Sequence, residues 1–326
     1  MSRVLVTGAS GFVGRAVVAA LARGGRNVRA AVRQSPNPPF ADNVEVMHHA
    51  DLTAVIDWRP LLDGVDQVVH LAGIAHSAGI DPELFDRINH VSSARLAIAA
   101  AKAGVRHFVF VSSIGAQTGP AADHALTERD PAAPVDALGR SKLAAEEAVR
   151  SAGVPFTILR PVALYGPGVK GSFAPLARAA VSHWPLPVKS FNNRRSLLGL
   201  DNFVSVLEFV LSTPATIGEI YLVADPGIPP PVSEVFAVLR RAAGRWPLIL
   251  SMPTQYVEIP FRVLRRGDLW ARLGGNLRVD PSKLIAAGWR PLHDTRAGLA
   301  AMAQAAPRKA RRTNAKHATG RNRGNP

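Results

Sequence analysis

The chain has 326 residues, of which 47% are hydrophobic, and it carries a formal net charge of +15 at pH 7. This composition allows a sizeable buried core in one large domain or two modest ones. The absence of cysteine excludes disulfides and thiolate chemistry and favours a cytoplasmic protein. No apolar run is long enough to span a membrane, and the opening MSRVLVTGASG predicts a strand and a turn rather than a signal peptide.

Short β-branched runs alternate with alanine-rich amphipathic segments along the first half of the chain. We predict strands at 3–8, 27–33, 44–52, 66–73, 106–113 and 155–166. Helices are predicted between them at 15–25, 58–64, 85–104 and 139–153. This alternation is typical of a parallel sheet with helices on both faces. The predicted fold class is therefore α/β, a doubly wound parallel sheet (Rossmann fold), with its domain at 1–165.

The pattern loosens after that domain, where Pro and Gly recur. Helices are predicted at about 201–212 and 233–243, with a strand at 219–224. We interpret 166–305 as a smaller substrate-binding region that partly returns to the main sheet. The last residues, 306–326, include seven Lys and Arg and no acidic residue, which predicts a basic disordered tail. We favour a solubilising role for this tail over contact with polyanions such as RNA, DNA or anionic lipid.

The first predicted strand leads directly into TGASGFVG, where the glycines have the spacing GxxGxxG. Glycine lets the backbone approach a phosphate closely, and the helix that follows offers free N–H groups. A glycine triplet between a strand and a helix indicates a dinucleotide-binding turn. The residues expected to contact the cofactor here are Gly8, Ser10, Gly11, Phe12, Val13 and Gly14.

The end of the second strand indicates which dinucleotide binds. A carboxylate there would bond the ribose 2′-OH of NAD, whereas an arginine suits the 2′-phosphate of NADP. The sequence has Arg33 at this point, so we predict that NADP is preferred and that NAD is possible. Asp51 and Leu52 end the third strand and are expected to face the adenine ring. Anionic ligands of this kind fit the positive charge of the folded part.

These motifs resemble the extended short-chain dehydrogenase/reductase family, in particular its NAD-dependent nucleotide-sugar epimerases and dehydratases. VVHLAG resembles the family's fourth-strand motif, FVFVSS the strand with the catalytic serine, and LRPVALYGPG the strand and loop after the catalytic helix. NRRSLLGLDN resembles R-x-F-I-H-V-x-D, and DPSKLIAAGWRP resembles the C-terminal signature. The resemblance implies further cofactor contacts at Leu71, Ala72, Gly73, Asn89, Ser112, Lys142 and Pro161.

The same resemblance implies a nucleotide-sugar substrate and a homodimer formed through helices around 84–103 and 140–152. It places Ser113 against the reacting oxygen and Arg195, rather than Arg194, against the substrate phosphate, with Asp201 in the same substrate motif. The alternative role of Ser113 is structural, as a cap at the end of the strand. We expect no metal site, because the pair His48 and His49 lacks a third ligand at a suitable spacing.

The family's proton donor is missing. The resemblance implies a tyrosine one helical turn before Lys142, where it would exchange a proton with the substrate, but the chain has Leu138. An alkyl group cannot transfer a proton. The chain's three tyrosines, Tyr165, Tyr221 and Tyr256, all follow the lysine. The loss of a general acid–base costs about 10²–10⁴ in rate. Lys142 itself is expected to contact the cofactor ribose, or else to form an exposed helix ion pair with Glu146.

Three hypotheses about the function remain open. The chain can retain slow or altered redox chemistry, with Lys142, Ser113 or a water supplying the proton. It can bind dinucleotide and nucleotide-sugar without reaction, as a regulator or partner subunit. Its substrate can also ionise so easily that no phenol is needed. A different class, a nucleic-acid-associated or redox-sensing binder that uses the basic tail, is the fourth hypothesis.

Overall fold

The computed structural model describes residues 2–36, 38–75, 81–169, 173–180, 182, 184–244, 246, 249–263, 270 and 274–305. The predicted tail at 306–326 lies outside these residues. Within them, no helix is both long and apolar enough to cross a membrane.

Seven parallel strands form the main sheet, which confirms the predicted α/β fold class. In chain order they are β1 (Arg3–Thr7), β2 (Asn27–Val32), β3 (Val44–His48), β4 (Gln67–His70), β5 (His107–Val111), β7 (Phe156–Pro161) and β10 (Ile220–Val223). Across the sheet the order is β10-β7-β5-β4-β1-β2-β3. The chain therefore reverses its direction of winding between β1 and β4. Ligands bind at such a point, outside the carboxyl ends of the strands.

Helices cover both faces of this sheet. In chain order, the α-helices of the described residues are α1 (Phe12–Arg23), α2 (Arg59–Leu62), α3 (Pro82–Phe85), α4 (Ser92–Lys102), α5 (Ala137–Ser151), α6 (Phe173–Ala180), α7 (Leu200–Ser212), α8 (Val232–Ala242), α9 (Thr254–Val263), α10 (Ser282–Ala286) and α11 (Thr295–Ala305). Two short 3₁₀ helices lie at Ile114–Ala116 and Pro214–Thr216. One cluster packs α1 and α7 on the sheet, and a second packs α4 and α5 on the opposite face.

The alternation of side chains along β1 shows why both faces need helices. Val4 and Val6 belong to the cluster with α1, whereas Leu5 belongs to the cluster with α4. Successive side chains of a strand point to opposite faces, so an uninterrupted apolar strand is stable only in the middle layer. The carboxyl edge of the sheet is thereby left as the exposed place where loops can assemble a site.

Two predicted elements are divided in the structure. The segment predicted as one strand at 155–166 is β7 followed by β8 (Ala163–Tyr165), which leaves the main sheet and pairs with β9 (Leu197–Gly199). The helix predicted at 85–104 contains a π-helical stretch at Asp86–Val91 before α4. A second small sheet joins β6 (Ala125–Leu126) to β11 (Arg278–Val279). The C-terminal region adds β10 to the main sheet beside β7.

Candidate cofactor-binding and active site

The turn between β1 and α1 is shaped by main chain in close contact. Gly8 has φ +67°, and a Cβ added there would lie 2.8 Å from the amide nitrogen of Ala72. A Cβ on Gly14 would overlap the carbonyl oxygen of Gly8. No side chain of the described residues caps the start of α1 at Gly11. The turn therefore offers free N–H groups and the positive end of a helix dipole, which fit a pyrophosphate.

The end of β4 lies beside this turn. Ala72 is buried, and Gly73 has φ +155°, a backbone conformation that favours glycine. A Cβ on Gly73 would lie 2.7 Å from Asn89 Oδ1 and 3.4 Å from Lys142 Nζ. Three residues that the sequence placed at the cofactor, far apart in the chain, therefore meet at one edge of the sheet.

Asn89 holds the strand end in place from the π-helical stretch. Its buried side chain accepts a hydrogen bond from the Ile74 amide at 2.8 Å and donates to the Ile74 carbonyl at 3.1 Å. The same amide group donates to Ser141 Oγ at 3.1 Å. π-helical stretches often occur at functional sites. Asn89 thus connects the β4 loop to the helix that carries Lys142.

Lys142 is 6% exposed, and its ammonium group donates to the Val111 carbonyl at 3.1 Å. Nζ also lies 5.1 Å from the centre of the Phe110 ring. Burial lowers the pKa of Lys142 to about 8, and the nearby Glu146 carboxylate partly opposes that shift. The exposed ion pair that the spacing to Glu146 allowed is absent from the described residues, because Glu146 is buried and bonds to another cation.

That cation is Arg160 of β7. Its guanidinium bonds Glu146 through Nε at 3.0 Å and through Nη2 at 2.5 Å, and it also donates to Gln117. Ser112 donates its hydroxyl hydrogen to the same carboxylate. A buried ion pair of this kind requires near-complete hydrogen bonding. Ser112 therefore supports the strand end through Glu146. Sequence reasoning missed this network, although an arginine inside the apolar run TILRPV was a signal for a buried partner.

The start of α5 has the backbone expected of a catalytic helix but no phenol. Asp136 caps the helix by accepting from the Gly139 amide at 2.7 Å. Gly139 packs so closely on Gly115 that a Cβ there would overlap the Gly115 carbonyl oxygen. Leu138 is half-buried in this first turn, one turn before Lys142. Ser113 accepts a hydrogen bond from the Gly115 amide at 3.1 Å, which is the capping role considered for it.

The tyrosines lie elsewhere. Tyr165 donates to Asp225 at 2.7 Å in the buried interior, and burial raises its pKa, with a further contribution from Asp225. Tyr221 is buried on β10, and Tyr256 is exposed on α9.

Asp225 also accepts hydrogen bonds from Gly199, Asn202 and Thr295. This buried carboxylate, which the sequence analysis missed, ties Tyr165 into the scaffold.

Arg33 does not stand alone at the second-strand tip. Its guanidinium lies 2.8 Å from the Asp51 carboxylate, and both side chains remain accessible. Hydrogen bonds from Thr53 and from Arg33 hold the pKa of Asp51 at about 2. Leu52, which was expected to face the adenine, is only 9% exposed and packs in the core cluster with α4. The tip therefore presents an arginine and a carboxylate together.

On the substrate side, Arg195 and Arg194 have different partners. Arg195 donates to the carbonyls of Pro120 and Gly275, both at 2.9 Å. Arg194 donates to the Pro229 carbonyl at 2.6 Å. Asp201 is exposed in the first turn of α7. Among the described residues, no three His, Asp or Glu side chains form a group that could hold a metal.

Comparison with known proteins identifies the family of the chain. Residues 4–224 match the model of the NAD dependent epimerase/dehydratase family. UDP-glucose 4-epimerase of Vibrio cholerae is 31% identical over 315 residues, which cover 93% of this chain and 94% of that protein. Ceramide reductase of Caulobacter vibrioides is 34% identical over 65% of this chain and 61% of that protein.

A solved structure gives the same fold. UDP-glucuronic acid 4-epimerase of Bacillus cereus, in complex with NAD, superposes with a TM-score of 0.75 at 20% identity, over 92% of this chain and 95% of that one. With a family match over more than half its length and a relative aligned along almost all of it, this chain is a member of the NAD dependent epimerase/dehydratase family.

Proposed function

We propose that the chain binds NAD(P) and a nucleotide-sugar and carries out slow epimerase-, dehydratase- or reductase-type chemistry, because Leu138 replaces the proton-transferring tyrosine. The meeting of Gly73, Asn89 and Lys142 beside the glycine turn carries this proposal. A bound nicotinamide would supply hydride transfer. The protein would supply the pyrophosphate turn and Lys142 for the ribose.

The proton is the weak point of the chemistry. Among the described side chains near Gly73, Lys142 is the group that can change protonation close to neutral pH, since its pKa is about 8. Ser113 accepts from the Gly115 amide and keeps its own hydroxyl hydrogen, but a serine hydroxyl does not change protonation near neutral pH. We therefore assign residual proton transfer to Lys142, directly or through a water, ahead of Ser113. A substrate that ionises easily would reduce the need for either group.

The alternative is a non-catalytic dinucleotide-binding protein that acts as a regulator or partner subunit. The well-packed cofactor edge and the alkyl group at position 138 fit this non-catalytic function as well as they fit slow catalysis. The two functions differ in one respect. A catalytic chain shows turnover that a restored phenol raises, whereas a purely binding chain shows no turnover before the substitution.

The deciding experiment is therefore Leu138→Tyr, with Leu138→Phe as its matched control. Each variant is incubated with NADP⁺ or NAD⁺ and with UDP-sugars, while nicotinamide reduction and sugar interconversion are followed. If the site is catalytic, the tyrosine should raise turnover by about 10²-fold or more, and the phenylalanine, which lacks the hydroxyl, should not. A rate unchanged by the tyrosine contradicts the catalytic proposal and leaves the binding one.

For the cofactor we propose NADP as the preferred dinucleotide and NAD as a possible one. Arg33 is accessible and suits a 2′-phosphate, but Asp51 competes for the same guanidinium. When NAD binds, the Asp51 carboxylate would be the group available to the ribose 2′-OH.

The assembly remains a proposal as well. We propose a homodimer through α4 and α5, which pack side by side, and where Ile98 on α4 is 46% exposed. We also propose a cytoplasmic location, since the sequence has no cysteine.

A further inference from the structure

His70 ends β4 and is fully buried between the glycine turn and the helix that follows Asn89. Its Nδ1 lies 2.6 Å from the hydroxyl of Thr7, the last residue of β1. Its Nε2 lies 2.8 Å from the hydroxyl of Ser93, in the first turn of α4. One ring therefore spans two elements of the candidate site, and the proposed chemistry uses neither of its nitrogens.

The surrounding hydrogen bonds fix which nitrogen carries the proton. Ser93 gives its only hydroxyl hydrogen to the Asn89 carbonyl at 2.6 Å, so it can only accept from His70. Nε2 is therefore protonated, and Nδ1 must accept from Thr7. The Thr7 hydroxyl in turn accepts the amide hydrogen of Ala72 at 3.3 Å.

The result is a directional chain of four hydrogen bonds. It runs from the Ala72 amide through Thr7, His70 and Ser93 to the Asn89 carbonyl. Every member of the chain is buried, where such bonds are strong and a missing partner is costly. Only a neutral histidine can accept at one nitrogen and donate at the other. Burial, which lowers the pKa of His70 to about 3, keeps it in that form.

We propose that His70 is a positioning residue that holds the Asn89 π-helical turn in register with the glycine turn, and through it the Ile74 backbone and Lys142. Asn89 connects to both, since its side chain bonds Ile74 on one side and Ser141, the neighbour of Lys142, on the other. The effect on Lys142 rests on the proposed cofactor function. The effect on Ile74 does not.

The chain offers a matched control in His107. This second buried histidine lies at the amino end of β5, on the neighbouring strand. Its Nε2 lies 2.8 Å from the Thr157 hydroxyl, which donates to the Thr216 carbonyl at 2.7 Å. Loss of either imidazole should cost stability, but only His70 lies at the candidate site.

The test compares His70→Leu with His107→Leu by amide hydrogen exchange without cofactor. Exchange at Ile74, whose amide bonds Asn89, should become at least about tenfold faster in His70→Leu than global destabilisation explains. In His107→Leu it should change only with global stability. Equal effects in the two variants overturn the proposal. If His70→Leu does not fold, Ser93→Ala cuts the same chain and Ser93→Thr should restore it, and unchanged Ile74 exchange in Ser93→Ala overturns the proposal.

A second readout is the calorimetric affinity for NADP⁺ and NAD⁺. We expect binding about tenfold weaker in His70→Leu and within about twofold of the wild type in His107→Leu. If the wild type binds neither nucleotide, the proposed function fails, while Ile74 exchange still decides the role of His70.

Discussion

Two neighbouring parts of the carboxyl edge of the sheet differ in the polar side chains that they present. The cofactor part, from the glycine turn to Asn89 and Lys142, has its buried polar groups paired and its backbone in close contact. The start of α5 has an equally well-packed backbone at Gly115 and Gly139 but presents Leu138 where the family resemblance predicts a proton donor. The difference shows that the main chain of this edge packs closely without a proton-transferring side chain at position 138.

The largest effect should come from breaking the cofactor part at Gly14. In Gly14→Ala the new Cβ overlaps the Gly8 carbonyl oxygen, so the turn must change shape. We expect the affinity for NAD(P) to fall by roughly 100-fold, measured by calorimetry. Gly24→Ala is the control at the other end of α1, where a Cβ would meet nothing closer than 3.5 Å. Equal affinities in the two variants would show that the turn does not bind the nucleotide.

The next effect sharpens the assignment of the proton to Lys142. In the direction that oxidises a substrate hydroxyl, the neutral amine is the form that accepts the proton. Because the pKa of Lys142 is about 8, the rate should rise about tenfold per pH unit below that pH and level off above it.

The steady-state pH profile of the wild type measures this dependence. Lys142→Met should remove the rise in rate that has its midpoint near pH 8, and it should also weaken dinucleotide binding. A profile with the same midpoint in that variant would assign the proton transfer to another group.

The smallest effect concerns cofactor choice at the exposed Arg33–Asp51 pair. Asp51→Asn should release the guanidinium and favour NADP over NAD by about fivefold relative to the wild type. Arg33→Ser should shift the preference in the opposite direction by a similar factor. Paired fluorescence titrations with the two nucleotides measure both. NAD that binds the wild type tenfold more tightly than NADP would contradict the proposed preference.

Features that depend on only a few neighbouring residues could be predicted from the sequence. The period of the strands, the glycine spacing at Gly8 and Gly14 and the missing phenol at Leu138 can all be read over short windows. The strand period predicted the parallel sheet, which the structure confirms, and the glycine spacing predicted the turn, whereas the loss of catalysis at Leu138 stays a prediction.

Pairings across the fold were beyond such windows. Glu146 is one helical turn from Lys142 yet pairs with Arg160, because β7 lies beneath α5. Asp51 reaches Arg33 only because β3 lies beside β2. Asn89 bonds Ile74 after β4, and its carbonyl accepts from Ser93, which contacts His70 of β4; the local sequence does not reveal these partners.

We propose that this carboxyl edge binds a pyridine nucleotide whether or not fast chemistry survives. The most direct measurement is calorimetric titration of the purified wild-type chain with NADP⁺ and with NAD⁺. We predict saturable binding of one nucleotide per chain, lost in Gly14→Ala and kept in Leu138→Phe. Absence of binding to either nucleotide would show that this edge is not a nucleotide-binding site.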